Sequence, residues 1–171
     1  MRLGRDVRVI VKKAIIFLVV AFMASLIQTS FLAVIEPFGA VPDLVLLMSL
    51  GAGFFWGPKT GGAFGVIAGA VSYAVGGVGF AYQPLFYALI GVAVGVFVEN
   101  FFMGKYTVWV LYVFCVSAVK SGLSLAYVIL FSERLQLFPA LWRTVIAEFF
   151  ATLVLGMIFY VPIKKICKFF A

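Results

Sequence analysis

The sequence has 171 residues, of which 65% are hydrophobic and only 11% are charged, and its mean hydropathy is +1.22. Soluble domains are about 45–50% apolar and about 25% charged, so this composition excludes an ordinary soluble domain. The net charge of +7 does not indicate a nucleic-acid partner, because most of the cations flank the first and the last apolar segment, where they are typical of orientation signals and of contacts with anionic membrane lipids.

Six apolar segments follow one another along the chain, separated by short breaks that contain glycine, proline or polar residues. A membrane-spanning helix needs about 20 apolar residues, because the hydrocarbon core is about 30 Å thick. The sequence therefore predicts an all-α integral membrane protein, a single domain over residues 1–171 formed by a bundle of about six transmembrane helices. The predicted spans cover residues 14–35, 43–56, 61–81, 84–103, 106–131 and 139–162.

The first two segments leave alternatives open. Residues 14–35 follow a basic start, which also fits a signal peptide cleaved near Ala24, but the apolar run is longer than in a typical signal peptide and favours a retained span. Residues 43–56 would cover only about 21 Å at 1.5 Å per residue. This segment therefore extends beyond these bounds, thins the bilayer locally or is re-entrant.

The positions of lysine and arginine predict that both termini lie in the cytoplasm. With the N-terminus inside, ten cations fall on the inner side and only Arg134 falls in an outer loop. This bias requires an even number of spans, which agrees with the six apolar segments. The outer loops would be residues 36–42, 82–83 and 132–138, and the inner cations are Arg2, Arg5, Arg8, Lys12, Lys13, Lys59, Lys105, Lys164, Lys165 and Lys168.

Glycines recur at intervals of four residues in the third and fourth predicted spans. Small residues at this spacing allow helix backbones to approach closely, which matters in lipid because no hydrophobic force drives helices together there. The pattern predicts packing of these two spans against each other, and it also fits a groove for the helix of a partner. It comprises Gly61, Gly65, Gly69 and Gly77 in the third span, and Tyr87, Gly91, Gly95 and Glu99 in the fourth.

Two ionisable residues lie well inside predicted spans, Lys120 in the fifth and Glu148 in the sixth. Each costs about 2.5–3.5 kcal/mol at the centre of a span on insertion scales, so we expect them to have partners. They lie about 16 Å and about 14 Å below the outer ends of two antiparallel spans joined by a short loop. The sequence predicts an ion pair between them, either as a structural contact or as part of a proton or ion relay, beside the polar strip of Ser117, Ser121 and Ser124.

The inventory of reactive side chains is small. There is no histidine, and the two cysteines, Cys115 and Cys167, do not form a metal-binding or disulfide pattern. No Ser/His/Asp set exists, and no carboxylates are spaced for a metal, so we expect no enzymatic activity and no cofactor. Arg143 lies close enough to the outer end of its span to snorkel to the headgroups. Polar residues expected at the outer face include Gln28 and Asp43, the latter at the mouth of the second span.

A set of short stretches over roughly residues 26–98 forms one further pattern. It comprises residues 42–47 with Pro42 and Asp43, residues 56–57, Gly61, residues 65–69, Gly77, Gly79, Tyr87, Gly91 and Gly95. This pattern resembles the rod shape-determining protein MreD family, and Gln28 in the first span also fits it. The family usually has an aspartate three residues after the second glycine of its GxxxG run, where this chain has Ser72.

The resemblance implies a non-enzymatic subunit of the bacterial cell-elongation machinery in the cytoplasmic membrane. Such a subunit works with the bitopic scaffold protein MreC, near the actin-like MreB filament and the glycosyltransferase and transpeptidase that synthesise peptidoglycan. The six-helix fold of the family is also similar to that of the substrate-binding subunits of energy-coupling-factor vitamin transporters. A vitamin-binding subunit is therefore the alternative, and a membrane protein of neither kind is a third.

Two features of the sequence argue against the transporter alternative. Its first span often has an alanine pair four residues apart, which Ala21 and Ser25 only approximate here. A binder of this class also needs a polar pocket near the outer face, usually closed by the first outer loop, and residues 36–42 are short for a lid. The sequence therefore favours the scaffold.

Overall fold

The computed structural model describes residues 3–35, 40–76, 83–101, 105–131 and 138–169, and every regular element in these ranges is helical. The first helix, α1, begins as Leu3–Leu26 and continues without a break through a π-helical stretch, Ile27–Leu32, and a last turn, Ala33–Ile35. The other helices within the described ranges are α2 (Leu44–Trp56), α3 (Pro58–Gly76), α4 (Gln83–Phe101), α5 (Tyr106–Phe131) and α6 (Phe138–Phe169).

Three helices contain windows long and apolar enough to cross a membrane: Gln83–Asn100 in α4, Tyr106–Tyr127 in α5 and Trp142–Lys165 in α6. Two shorter apolar helical stretches, Ile15–Ser30 and Leu44–Trp56, accompany them. This all-helical architecture agrees with the predicted class of helical membrane protein. The number of crossings stays a prediction.

The helix bounds follow the predicted spans most closely at α2 and α5 and differ most at the two ends of the chain. The helix of α1 starts at Leu3 rather than at residue 14, and α6 continues through Pro162 to Phe169. The cations at both ends marked the predicted limits of the apolar core, but lysine and arginine are good helix formers and do not end a helix. Much of the predicted outer loops 36–42, 82–83 and 132–138 lies outside the described residues, as does the end of the predicted third span from residue 77 to residue 81.

The central helix is α2, which contacts α3 and α4 on one side, α5 and α6 on the other, and α1. It is apolar around its whole circumference, and a helix of that kind is buried. Its first four residues, Leu44–Leu47, and its later residues from Ser49 to Phe54 are all buried. Burial inside the bundle explains why a helix of 13 residues, about 20 Å long, is sufficient here.

A tight turn connects α2 to α3. Gly57 has φ +83°, which glycine adopts without strain, and its N–H donates to the carbonyl oxygen of Gly53 at 3.1 Å. Pro58 then starts α3 with a φ that suits the first position of a helix. The chain reverses within this turn, so that α3 packs directly along α2.

The end of the bundle at this turn is called the basic end, because Lys59, Lys105 and Lys164 lie there. Lys59 follows the turn, and Lys105 precedes α5. Lys164 near the end of α6 lies over the ring of Tyr160, with its Nζ 5.3 Å from the ring centre. The opposite end, where α5 ends and α6 begins, is called the outer end.

An aromatic cluster fills the basic half of the core. Trp109 is fully buried there, and its indole N–H donates to the carbonyl oxygen of Gly156 at 2.8 Å. The ring packs against Phe54, Phe55 and Tyr160. Trp142, in contrast, is 47% exposed near the outer end.

Candidate functional site

The glycines of α3 and α4 bring the backbones of α2, α3 and α4 together. A Cβ atom added at Gly65 would lie 2.7 Å from the Cα of Ala88 on α4, and one added at Gly61 would lie 2.5 Å from the Cα of Gly53 on α2. Real Cβ atoms do not approach other atoms within 3.0 Å, so no larger residue fits there without displacing backbone. The glycine faces are therefore occupied by the protein's own helices.

The other glycines of the pattern behave in the same way. A Cβ atom at Gly69 would lie 2.9 Å from the nitrogen of Pro84, and one at Gly95 would lie 2.5 Å from the Cα of Pro58. A Cβ atom at Gly91 would meet the backbone of Gly61. Gly77 lies outside the described residues.

Asp43 begins α2 and is fully buried. Its Oδ1 accepts a hydrogen bond from the backbone N–H of Leu46 at 2.8 Å, the usual N-cap contact of an aspartate. Its Oδ2 accepts from the hydroxyl of Tyr87 on α4 at 2.6 Å and from the Nζ of Lys120 on α5 at 2.5 Å. Its own backbone N–H donates to the Oγ1 of Thr152 on α6 at 3.0 Å. One residue thus connects four helices.

Lys120 lies between two carboxylates. Its ammonium group pairs with Asp43 and also with the Oε1 of Glu148 on α6. The side chains of Lys120, Asp43 and Glu148 are 14%, 1% and 29% exposed. The structure thus brings Lys120 and Glu148 together and adds Asp43 as a third member; these three residues are called the ion triad.

The ion triad places Asp43 far from where the sequence suggested. Lys120 precedes the end of α5 at Phe131 by eleven residues, about 16 Å along the helix axis. Since Asp43 contacts Lys120, α2 begins at this depth and not at the outer mouth of the bundle. The short second segment therefore starts inside the protein, where neighbouring side chains satisfy its first N–H groups.

The first four backbone N–H groups of α2 each donate to an acceptor, as a buried helix terminus requires. The N–H groups of Leu44 and Leu47 donate to the carbonyl oxygens of Pro42 and Asp43 at 3.1 and 3.3 Å. The N–H of Leu46 donates to the Asp43 side chain, as described above. The N–H of Val45 donates to the Oε1 of Gln28 on α1 at 3.2 Å.

Gln28 reaches α2 from the π-helical stretch of α1. A π-helical turn has one more residue than an α-helical turn, and such turns often occur at functional positions. Nearby, the Thr29 hydroxyl donates to the carbonyl oxygen of Ser25 at 2.9 Å. No pattern in the sequence predicts this local change of helix type.

The polar groups around the ion triad are closely packed. Ser117, Ser121, Glu148 and Thr152 surround a narrow space beside Lys120 that has no room for a water molecule. The hydroxyl oxygen of Ser117 is buried without a hydrogen-bond partner among the described residues. The geometry is that of a filled interior and provides no binding cavity at this point.

The remaining predicted residues lie apart from this network. Pro42 is buried directly before Asp43, and Ser124 is buried one turn beyond Lys120. Ser72 is half-buried on α3 and is not among the side chains, within the described ranges, that bond to the ion triad. Arg143 is exposed on α6, and Cys115 is exposed on α5. The described residues contain no cluster of His, Cys, Asp and Glu that fits a metal ion.

Sequence reasoning missed the roles of Tyr87 and Thr152. Tyr87 belongs to the four-residue pattern and to the family resemblance, but neither indicates a role for its hydroxyl. The structure shows a 1% exposed ring whose hydroxyl donates to Asp43. The close approach at Gly65, whose added Cβ atom would meet the Tyr87 backbone, fixes that position. The glycine contacts therefore position a member of the polar network.

Comparison with known proteins gives no relative: no family model, no curated protein and no solved structure matches this chain.

Proposed function

We propose that this protein is a non-enzymatic membrane scaffold of the bacterial cell-elongation machinery, with the role of an MreD-type subunit that binds the bitopic protein MreC. The supporting observation is that the MreD-like residues meet in one place. Gln28, Asp43 and Tyr87 surround the start of α2, and the glycines hold α3 and α4 against it. The residues that carry the resemblance thus pack or hydrogen-bond around the start of α2.

The packing favours a scaffold over the vitamin-binding alternative. A binder needs polar side chains that face an open cavity, whereas those between α2, α4, α5 and α6 bond to one another. Ala21 and Ser25, which approximate the alanine pair of the transporter subunits, are each 1% exposed and lie within the bundle. They do not form a surface for a coupling protein.

A scaffold of this kind acts through its helix surfaces, because the helices make up nearly all of the described chain. Large apolar side chains are exposed along α1, α4, α5 and α6, as is expected for surfaces that face lipid or a partner helix. MreC would contribute a transmembrane helix to these surfaces or an outer-face domain to the outer end. The wider assembly would include MreB, a glycosyltransferase and a transpeptidase.

The proposed location is the bacterial cytoplasmic membrane, with six spans and both termini in the cytoplasm. The positive-inside rule supports this orientation, since Lys59, Lys105 and Lys164 share the basic end of the bundle. Single cysteines, introduced into a variant that lacks Cys115 and Cys167, would be probed on intact cells with an impermeant thiol reagent. We expect labelling at position 134 and none at positions 59 and 105, and the reverse pattern would contradict the orientation.

The function is tested by purification from the native host in a mild detergent. We expect the bitopic MreC to be recovered with the protein, and depletion of the protein to give rounded or swollen cells. Recovery of a transmembrane coupling protein with ATPase subunits, together with tight binding of a vitamin, would instead establish the transporter alternative.

A further inference from the structure

The outward face of α6, opposite the side that carries Glu148 and Thr152, borders a shallow, open depression of about 520 Å³, called the α6 groove, which among the described residues is lined by this helix alone. Its residues recur at helical spacing over the outer half of α6, and one of them is charged. They are Trp142, Arg143, Ile146, Ala147, Phe150 and Val154.

Arg143 is the unusual member of this apolar surface. Within the described ranges, no carboxylate lies at salt-bridge distance from its guanidinium, and the two ion pairs found there both belong to Lys120. An arginine on a membrane-facing surface is costly unless its charge reaches water or an anion. It follows the start of α6 by five residues, about 7.5 Å, so its long side chain reaches the headgroup level by snorkelling. The exposed ring of Trp142 marks the same level, as interfacial tryptophans do.

The length of the α6 groove fits one lipid chain. From Arg143 to Val154 is eleven residues, about 16 Å, which is close to half of the roughly 30 Å hydrocarbon core. The exposed apolar face of α6 continues beyond the groove through Met157, Ile158 and Val161. The charge of Arg143, and not the extent of this face, therefore favours a lipid headgroup over an apolar partner helix.

We propose that the α6 groove binds an anionic phospholipid of the leaflet at the outer end. The lipid phosphate accepts hydrogen bonds from the guanidinium of Arg143, whose planar fork matches phosphate oxygens. One acyl chain lies along Ile146, Phe150 and Val154 toward the middle of the membrane. Ala147 leaves the space between these larger side chains. This inference does not depend on which partner the scaffold binds.

The test is native mass spectrometry of the full-length protein in detergent, with phosphatidylglycerol or phosphatidylcholine added at equal concentrations. We expect the wild-type protein to retain one phosphatidylglycerol molecule. The affinity of Arg143→Gln for this lipid should be about tenfold lower, as expected for the loss of a charge-assisted hydrogen bond. Ala147→Phe keeps the charge and fills the groove, and it should lose the same lipid. Lys59→Gln is the matched control, because it removes an exposed cation at the opposite end and should retain the lipid.

The other outcomes overturn the proposal. Equal retention of phosphatidylglycerol and phosphatidylcholine would remove the role of the charge. Equal loss in Arg143→Gln and Lys59→Gln would mean general attraction to a basic protein, and full retention in Ala147→Phe would mean that the lipid lies elsewhere. A cross-link from position 150 to the helix of a co-purified protein, with no lipid bound at any concentration, would assign the groove to a partner helix. Thermal melting of each variant verifies that it is folded.

Discussion

The two sides of the central helix α2 are held by different means. On the side of α3 and α4, glycines bring backbones into direct contact, so that no side chain lies between the helices at Gly61 and Gly65. On the side of α5 and α6, Lys120 donates charged hydrogen bonds to Asp43 on α2 and to Glu148 on α6. Lipid does not drive apolar helices together, and small residues and polar contacts are the two main ways in which membrane helices associate. This protein uses one on each side of the same helix.

The two sides of α2 also tolerate different substitutions. A glycine contact fails when any atom is added, whereas the ion triad fails when its charges no longer balance. The substitutions with the largest expected effects are therefore an added side chain on one side and a removed charge on the other.

The largest expected effect is that of Lys120→Met. The change leaves the carboxylates of Asp43 and Glu148 close together in the interior without a cation, and breaking a buried pair in this way costs about 3–5 kcal/mol. Glu148→Gln should cost less, because Lys120 and Asp43 remain paired. The measurement is thermal unfolding in detergent, and Lys59→Met, which changes an exposed lysine, should leave the melting temperature close to that of wild type.

A double-mutant cycle isolates the contact between Lys120 and Glu148. In the Glu148→Gln background only one carboxylate remains to be left unpaired, so Lys120→Met should cost less there than in wild type. Purely additive effects of the two substitutions would mean that the ion triad does not join α5 to α6.

The next largest effect is expected for Gly65→Leu on the other side of α2. Even the first added carbon would lie 2.7 Å from the Cα of Ala88, so α3 and α4 must move apart. Overpacking against backbone falls at the upper end of the usual range, about 3 kcal/mol or more. Ala70→Leu is the matched control, because Ala70 is an exposed small residue of the same helix. Equal loss of folded protein in the two variants would mean that the glycine contact does not determine the packing of α3.

Local sequence patterns predict much of this arrangement, and the rest depends on the tertiary packing of the helices. The helices, the glycine spacing and the proximity of Lys120 to Glu148 follow from apolar length, from a four-residue repeat and from equal depth in antiparallel helices. The sequence predicts Asp43 at the outer mouth of the bundle, because it directly precedes an apolar segment whose start is expected at the membrane surface. Only the fold shows that this segment starts about 16 Å below the end of α5.

One sequence feature pointed to the correct position of Asp43. The second segment is too short to cross a membrane alone, and a helix that starts inside a bundle needs a capping side chain and further acceptors there. Asp43 and Gln28 meet that need. No sequence feature predicts the hydrogen bond of the Tyr87 hydroxyl, because packing of the aromatic ring alone would explain a tyrosine at this position of the glycine repeat.

The smallest of these effects is expected for Tyr87→Phe, which tests how the two sides of α2 are joined. Tyr87 lies on α4, where Gly65 fixes its backbone, and its hydroxyl donates to the carboxylate that Lys120 also binds. The substitution keeps the buried ring and removes only this hydrogen bond, so we expect a loss of about 1.5–3 kcal/mol, as for hydrogen bonds to charged groups. Tyr73→Phe, at an exposed tyrosine, is the control. If Tyr87→Phe melts at the wild-type temperature, α4 is held by glycine packing alone. If it is destabilised, and less so once Lys120 has been replaced, the glycine contacts and the ion triad form one coupled interior.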